Sequence, residues 1–385
     1  MAATDNTPID RNTSDGPVDD EAAPKAPRSG IRARIEHALR PWRRANPGAR
    51  YLVIAGTVIT LVFLVMAVFA DSVAPFGESQ YCPDEFFDPS VGATGTCIGA
   101  PADAQIPARV APSAEYPFGT TDTRFDVLSR VILGARIAFL VVAFSTAFAM
   151  LIGVPLGLFS GYIGGRLDRV LVLIMDTIYA FPSLLLAILI AFALRLRLEQ
   201  WGIDAPFVPA AISVGTVYIP QYFRVIRNHT LSVKEEPYVE AARSLGAKRR
   251  TVVFRYIFFN VVSSIPVLFT LNAADAVLTL AALGFLGYGI KFPTAEWGLD
   301  VNLGLADSVG GFWWTAFWPG VAITLLVTGL SLIGEGLNDI VNPLLRVKGF
   351  KGKVKGARAA MKAAGDRREQ PLDAESTVLA EGDVR

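Results

Sequence analysis

Residues 51–70 have the sequence YLVIAGTVITLVFLVMAVFA, a run of 20 residues without a charged side chain. A run of about 20 apolar residues is long enough to cross the hydrocarbon core of a bilayer as an α-helix. The polar and acidic residues 1–30 that precede it do not have the order of a secretory signal peptide. We therefore expect the run to be retained as a first transmembrane helix.

Similar apolar runs follow along the 385-residue chain, which is 52% hydrophobic and only 18% charged. A soluble protein usually carries about 25% charged residues. The candidate transmembrane segments are residues 51–70, 137–160, 169–194, 206–223, 257–285 and 313–335. The fourth contains Pro209 and Pro220, which a membrane helix tolerates where its neighbours satisfy the freed carbonyl groups. The sequence therefore predicts an all-α polytopic membrane protein with six transmembrane helices.

The distribution of basic residues predicts how these helices are oriented. Residues 31–50 form a basic juxtamembrane segment, which places the start of the first helix in the cytoplasm by the positive-inside rule. With six helices, the loop 224–255 and the C-terminal tail fall on the same side, and both are rich in lysine and arginine. The opposite loop 286–312 holds a single basic residue, Lys291. We therefore expect both termini in the cytoplasm.

Three segments outside the predicted helices differ in composition. Residues 1–30 hold almost no bulky apolar side chains, which predicts a disordered cytoplasmic tail. Residues 71–133 form a long extracytoplasmic loop, in which Cys82 and Cys97 either form a disulfide or remain free thiols. The cytoplasmic tail 341–385 is basic and then mixed in charge, and it is either solvated or bound to anionic membrane lipid.

The loop 224–255 contains the signals of a short helix outside the membrane. Pro237 suits the first position of a helix, where its missing N–H group has no partner to lose. Glu240 lies near the positive end of the helix dipole, and the alanine pair that follows it favours a helix. Gly246 suits the left-handed residue that ends a helix.

One side of this short helix is small and apolar. Tyr238, Ala241, Ala242 and Leu245 share it at i, i+3, i+4 and i+7 spacing. Such a side either docks into a groove on another protein or packs against the chain's own membrane helices. The pattern alone leaves both interpretations open.

Three polar residues within apolar segments are candidates for a pathway through the membrane. Asp176 and Asp275 are ionisable groups in candidate helices, where charge is costly and often functional. Asn272 is a weaker candidate of the same kind. Each residue either lines a pathway, pairs with a partner chain, bonds to a neighbouring helix or lies near the membrane edge.

The sequence assigns no catalytic residue and no metal site to this chain. It has no Gly-x-x-x-x-Gly-Lys-Ser/Thr phosphate loop and no cluster of polar catalytic groups at one membrane face. Its two histidines, His37 and His229, do not belong to a metal-ligand cluster. The basic residues form no separate domain, so nucleic-acid binding is not expected.

Glu240-Ala241-Ala242 followed by Gly246, in a basic loop before the penultimate apolar segment, resembles the EAA loop of ABC importer permeases. Other segments resemble, in the same order, motifs of the dipeptide/oligopeptide permease family of the second-subunit type. They are residues 117–122, 126–130, 134–137, 181–184, 284–289, 297–298, 318–320 and 334–339. The resemblance covers about residues 45–346.

The resemblance implies an ABC importer type I permease fold with its core at residues 134–340, in the bacterial cytoplasmic membrane. It implies a second homologous permease, two ABC ATPase subunits that bind ATP and Mg, and an extracytoplasmic substrate-binding protein as partners. The helix around residues 237–246 would contact an ATPase, the substrates would be di- or oligopeptides, and the chain itself would be neither an enzyme nor a holder of cofactors.

Other functions make different demands on the sequence. The same family also carries nickel complexes and other small solutes. A secondary transporter or channel without an ATPase would predict inverted repeats and buried coupling charges, and we find no such repeat. A polytopic membrane enzyme would need the catalytic cluster that the sequence lacks.

The long cysteine-containing loop generates a first prediction. Because it projects on the side from which a binding protein would dock, deleting residues 80–105 is expected to weaken docking of the substrate-binding protein. Co-sedimentation of the binding protein with membranes that contain the intact or the shortened importer measures this. Equal docking to both would contradict the prediction.

Overall fold

The computed structural model describes Trp42 and residues 46–77, 87–88, 96–97, 106–202 and 206–341. This part of the chain is mostly helical, with a short antiparallel ladder between β1 (Phe87–Asp88) and β2 (Thr96–Cys97). The predicted disulfide lies outside the described residues, because Cys82 is not among them and only the backbone of Cys97 is. The tails predicted at 1–30 and 341–385 lie outside them as well, apart from the backbone of Val341.

The helices are numbered here in chain order. They are α1 (Pro47–Val68), α2 (Ala70–Val73), α3 (Val127–Ile163), α4 (Gly165–Ala180), α5 (Ser183–Gln200), α6 (Val208–Lys234), α7 (Pro237–Ser244), α8 (Arg249–Thr251), α9 (Phe258–Val261), α10 (Ile265–Phe285), α11 (Trp297–Val309) and α12 (Trp314–Val341). A π-helical segment (Val252–Ile257) joins α8 to α9, and a 3₁₀ turn (Val262–Ser264) joins α9 to α10.

The predicted count of six transmembrane helices is not confirmed. In the described residues, four helical stretches are long and apolar enough to cross a membrane: Pro47–Val68, Val127–Ile163, Arg249–Phe285 and Trp314–Ile340. A fifth is present if α4 and α5 together form one broken span. Five of the six predicted segments thus correspond to these stretches, with ends shifted by several residues.

The predicted third segment, 169–194, is not one straight helix. Helices α4 and α5 meet at an angle of 95°. Phe181 separates them in an extended conformation, with φ −74° and ψ 139°. The cause is Pro182, because a proline disfavours the helical conformation of the residue before it.

The predicted fourth segment, 206–223, is part of the longer helix α6. This helix contains Pro220 without ending there, but it does not reach the apolarity of the other stretches. Polar residues such as Gln221 and Arg224 in its second half explain the difference. Helix α6 is therefore long enough to cross a membrane, but its composition alone does not identify it as a membrane span.

Helix α3 approaches α6 closely along a line of glycines. Ideal Cβ atoms at Gly153 and Gly157 would lie 2.8 Å and 2.6 Å from backbone carbonyl oxygens of α6, and one at Gly161 would lie 2.9 Å from a third. Close backbone approach through small residues is how membrane helices maximise van der Waals contact without a hydrophobic driving force. The glycine pattern thus serves helix packing.

This packing leads to a second prediction. Gly157→Ala would place a methyl group 2.6 Å from the Phe223 carbonyl oxygen, so α3 and α6 would have to separate. Overpacking of this kind costs about 1–3 kcal/mol. We expect a lower unfolding temperature of the purified protein in detergent, followed by circular dichroism.

Gly320→Ala is the matched control, since Gly320 also lies within a long helix but its Cβ would meet no atom within 4 Å. We expect this variant to unfold at or above the wild-type temperature, because alanine favours a helix over glycine. Equal unfolding temperatures for Gly157→Ala and wild type would refute the packing argument.

Candidate functional site

The short helix outside the apolar segments forms as its sequence signals predict. Helix α7 starts with Pro237 in its first turn and spans eight residues. Gly246 has a φ of +80°, the left-handed conformation that favours glycine. The Ala247 N–H donates to the Ala242 carbonyl at 3.0 Å, so the last turn is closed by a backbone hydrogen bond.

The structure divides the residues predicted for one side of α7 between two sides. Tyr238, Ala241 and Leu245 are exposed, and Leu245 keeps 88% of its accessible surface. Ala242 is instead buried, like Val239, which has no exposed surface. Since positions three apart lie on neighbouring parts of a helix surface, Ala242 shares the inner side with Val239.

The inner side of α7 packs against the chain itself. Val239 belongs to the main apolar core, together with Val252 and Ile257 of the π-helical segment that α7 contacts. The Arg243 guanidinium lies 5.7 Å from the centre of the Tyr162 ring at the end of α3. The inner side of α7 thus packs against the chain's own helices, and docking of its exposed outer side on another protein stays a prediction.

Two ion pairs attach α4 to α6 near the same end. Asp168 accepts two hydrogen bonds from Arg227, at 2.6 and 2.8 Å, and a third from the Ser160 hydroxyl at 2.5 Å. One turn earlier on α6, Arg224 donates to Asp176 at 2.7 Å. Of the alternatives open for Asp176, the structure therefore shows a bond to a neighbouring helix within the chain.

A cavity of about 500 Å³ lies between the α4–α5 bend, α6 and α10. Its aromatic and polar walls are formed by Tyr179, Phe181, Ser183, Tyr218, Gln221, Asp275 and Thr279. The Tyr218 and Thr279 hydroxyl groups are 2.9 Å apart and share a hydrogen bond across the α6–α10 contact. Asp275 is exposed and lines this space, whereas Asp176 does not line it.

Asn272, the third pathway candidate, does not line the cavity. It is fully buried on α10, next to Tyr222 of α6. The Tyr222 hydroxyl faces this amide, so the two polar groups are buried together in the α6–α10 contact beside the cavity.

The end of the molecule opposite α7 contains a buried ion pair that the sequence analysis did not identify. Arg130, at the start of α3, bonds to Asp300 of α11 at 2.6 Å, and both side chains are less than a tenth exposed. The same guanidinium donates to the Pro293 carbonyl at 2.9 Å. Arg130 belongs to the motif at residues 126–130, and Asp300 follows the motif at residues 297–298, 170 residues away. Only their charge beside apolar segments hinted that each has a partner.

Glu296 closes the first turn of α11. Its carboxylate accepts hydrogen bonds from the Gly298 and Leu299 N–H groups, both at 2.8 Å. Burial raises the pKa of this carboxyl from 4.5 to about 7, and the charge of nearby Asp300 adds to that shift while Arg130 opposes it. The folded chain therefore holds a proton here at a pH where exposed glutamate is ionised.

Comparisons with known proteins agree on one family. Residues 153–347 match the family described as binding-protein-dependent transport system inner membrane component. The chain is 34% identical over 314 residues to the dipeptide transport system permease protein DppC of Alkalihalophilus pseudofirmus, covering 80% of this chain and 92% of that protein. It is 31% identical over 305 residues to the glutathione transport system permease protein GsiD of Pectobacterium atrosepticum, covering 79% and 90%.

Among solved structures, the chain is similar to the MetNI methionine ABC transporter in an inward-facing conformation. That similarity covers 55% of this chain and 94% of the other, with a TM-score of 0.43 and 19% sequence identity.

Glu296 generates a third prediction, on pH. Unfolded chains lose the proton of this carboxyl near pH 4.5 and the folded chain near pH 7, so its ionisation destabilises the fold as pH rises between these values. Since one pKa unit corresponds to about 1.4 kcal/mol, the loss is roughly 3 kcal/mol. Glu296→Gln should remove this part of the pH dependence, measured as the unfolding temperature at several pH values.

Glu199→Gln is the matched control. Glu199 is exposed and pairs with Lys291 at 2.6 Å, so its loss should leave the decline between pH 4.5 and 7 in place. A Glu296→Gln protein with the wild-type pH dependence would contradict the assignment.

Proposed function

Because the chain belongs to the family of binding-protein-dependent transport system inner membrane components and is an ABC importer permease, we propose that it carries short peptides across the bacterial cytoplasmic membrane. Relatives with about a third of their residues identical are named for dipeptide and glutathione transport, and both are short peptides. The cavity of about 500 Å³ lies within the size range of small-ligand sites, which suits a molecule of this size.

Helix α7 is the observation that supports coupling to an ATPase. Its inner side is part of the apolar core, so the helix cannot move without moving the ends of the longer helices. Its outer side presents Leu245, an apolar side chain that water surrounds in the isolated chain. Burying a leucine contributes about 1.5–3 kcal/mol, so a groove on a partner would bind this side favourably. Tyr238, Glu240 and Ala241 complete the proposed contact.

The contacts of α7 indicate which helices would move when an ATPase displaces α7. Val239 and Ala242 transmit displacement to the π-helical segment, which continues through α9 to α10 and the cavity. Arg243 transmits it to Tyr162 at the end of α3. Closure of two ATPase subunits on ATP and Mg would thus shift the helices around the cavity between two states. Such coupling requires a two-state element that both sites bias.

The remaining partners are proposed on the same basis. A second, homologous permease would form the other half of the pathway, and an extracytoplasmic binding protein would deliver the substrate. The basic residues between α6 and α10 support a cytoplasmic position for α7 and for both termini by the positive-inside rule. In this arrangement Asp275 lines the pathway and Asn272 lies beside it. Asp176 instead holds α4 against α6 through its ion pair with Arg224.

The fourth prediction tests the docking side of α7. Leu245→Glu changes a side chain that is 88% exposed, so the fold should tolerate it, while a charge in the ATPase groove would be costly. We expect the tagged variant to co-purify with the second permease but to lose the ATPases, and ATP-driven dipeptide uptake to fall at least about tenfold.

Val309→Glu is the matched control, because Val309 is 93% exposed at the opposite end of the molecule. It should retain the ATPases. A wild-type chain that purifies alone and remains stable would instead favour a channel or secondary transporter, and full ATPase binding by Leu245→Glu would exclude this side of α7 as the docking surface.

A further inference from the structure

The cavity between the α4–α5 bend, α6 and α10 carries one unbalanced charge. Among the described residues that line it, Asp275 is the one acidic or basic side chain. No described residue bonds to its carboxylate or forms an ion pair with it. By contrast, Asp168 and Asp176 on α4 are each held by an arginine, at 2.6 and 2.7 Å.

The position of Asp275 within an apolar helix makes a carboxylate without a bonded partner energetically costly. It lies in the middle of α10, which runs from Ile265 to Phe285, in one of the most apolar stretches of the chain. A charge at such a depth is unfavourable unless it faces a water-filled space or meets a group of opposite charge. The cavity provides the space, and none of the described residues that line it is a cation.

The rest of the cavity wall suits a cation as well. Tyr179, Phe181 and Tyr218 present aromatic rings, whose faces attract ammonium groups. Arg224 already uses the Tyr179 ring in this way, at 4.1 Å from its centre, but its guanidinium is paired with Asp176. The Thr279 hydroxyl donates to the Asp275 backbone carbonyl at 2.9 Å, so it does not neutralise the carboxylate.

We propose that Asp275 binds the ammonium group of the transported molecule while it occupies the cavity. The proposal rests on the transport function argued above and names the chemistry that its pathway selects. A short peptide supplies an ammonium group in two ways, at its N-terminus or on a lysine side chain. In both cases the substrate brings the positive charge that the cavity lacks.

The first test measures the charge of the cavity without any substrate. Ser183→Cys places a thiol in the cavity wall of the assembled importer. Its rates of modification by the cationic aminoethyl methanethiosulfonate and the anionic sulfonatoethyl methanethiosulfonate are compared, with the chain lacking Ser183→Cys as the reference for Cys82 and Cys97. We expect Asp275→Asn to lower the cation-to-anion rate ratio about tenfold. Asp275→Glu should preserve it.

The second test measures transport by the assembled importer in proteoliposomes. Alanyl-alanine carries only the N-terminal ammonium, N-acetyl-lysyl-alanine only the side-chain ammonium, and N-acetyl-alanyl-alanine neither. We expect Asp275→Asn to lower uptake of an ammonium-bearing peptide about tenfold and Asp275→Glu to restore most of it. The peptide whose uptake falls identifies the source of the ammonium group.

Glu199→Gln is the matched control for the rate ratio, since it removes an exposed carboxylate that does not line the cavity. An unchanged rate ratio in Asp275→Asn, or wild-type uptake of every peptide by that variant, would overturn the proposal. Wild-type importer that takes up no peptide would overturn the peptide function, and the rate ratio would still decide whether the cavity selects cations.

Discussion

Helices α3 and α6 are in contact along three successive turns of α3, and each of these turns has a glycine at the contact position. The backbones are so close there that a Cβ atom on α3 would lie less than 3 Å from a carbonyl oxygen of α6. In lipid, apolar side chains gain nothing by leaving one hydrocarbon environment for another, so short-range van der Waals contact must hold helices together. The glycines Gly153, Gly157 and Gly161 supply it. They also fix the position of α6 against α3, and α6 adjoins the cavity, the two ion pairs to α4 and helix α7.

Helix α6 connects the two parts of the proposed mechanism. Its middle contributes Tyr218 to the cavity wall, and Arg224 and Arg227 hold α4 through their ion pairs. Its last residue, Lys234, precedes α7 by a two-residue turn and donates a hydrogen bond back to Gly161 at 3.2 Å. Helix α6 thus connects the cavity, the two ion pairs and the proposed docking helix α7, and α6 itself packs against α3.

The sequence predicted features that are encoded locally. Apolar composition marked the membrane helices because lipid selects it residue by residue, and Pro237 and Gly246 marked the ends of α7 because capping depends on adjacent residues. The sequence did not predict features that depend on the direction in which a helix or a side chain points. The 95° bend follows from a single backbone conformation at Phe181, and Ala242 turned inward because of what lies beneath α7.

Pairings between distant charges could not be predicted for a related reason. The chain contains many arginines, and nothing in one sequence indicates that Arg224 meets Asp176 or that Arg130 meets Asp300. Which arginine meets which aspartate is determined by how whole helices pack against each other. A cavity is likewise a property of the space that the helices leave between them. The sequence could name Asp275 only as one of three candidates, because the cavity that it lines depends on the bend between α4 and α5.

The π-helical segment Val252–Ile257 adds a constraint of another kind. A π turn holds about one residue more than an α turn, and one residue corresponds to about 100° of rotation. The direction in which α10 presents Asp275, relative to α7, therefore depends on how many residues lie between them. Gaining or losing a single residue in this stretch would rotate the Asp275 side of α10 away from the cavity.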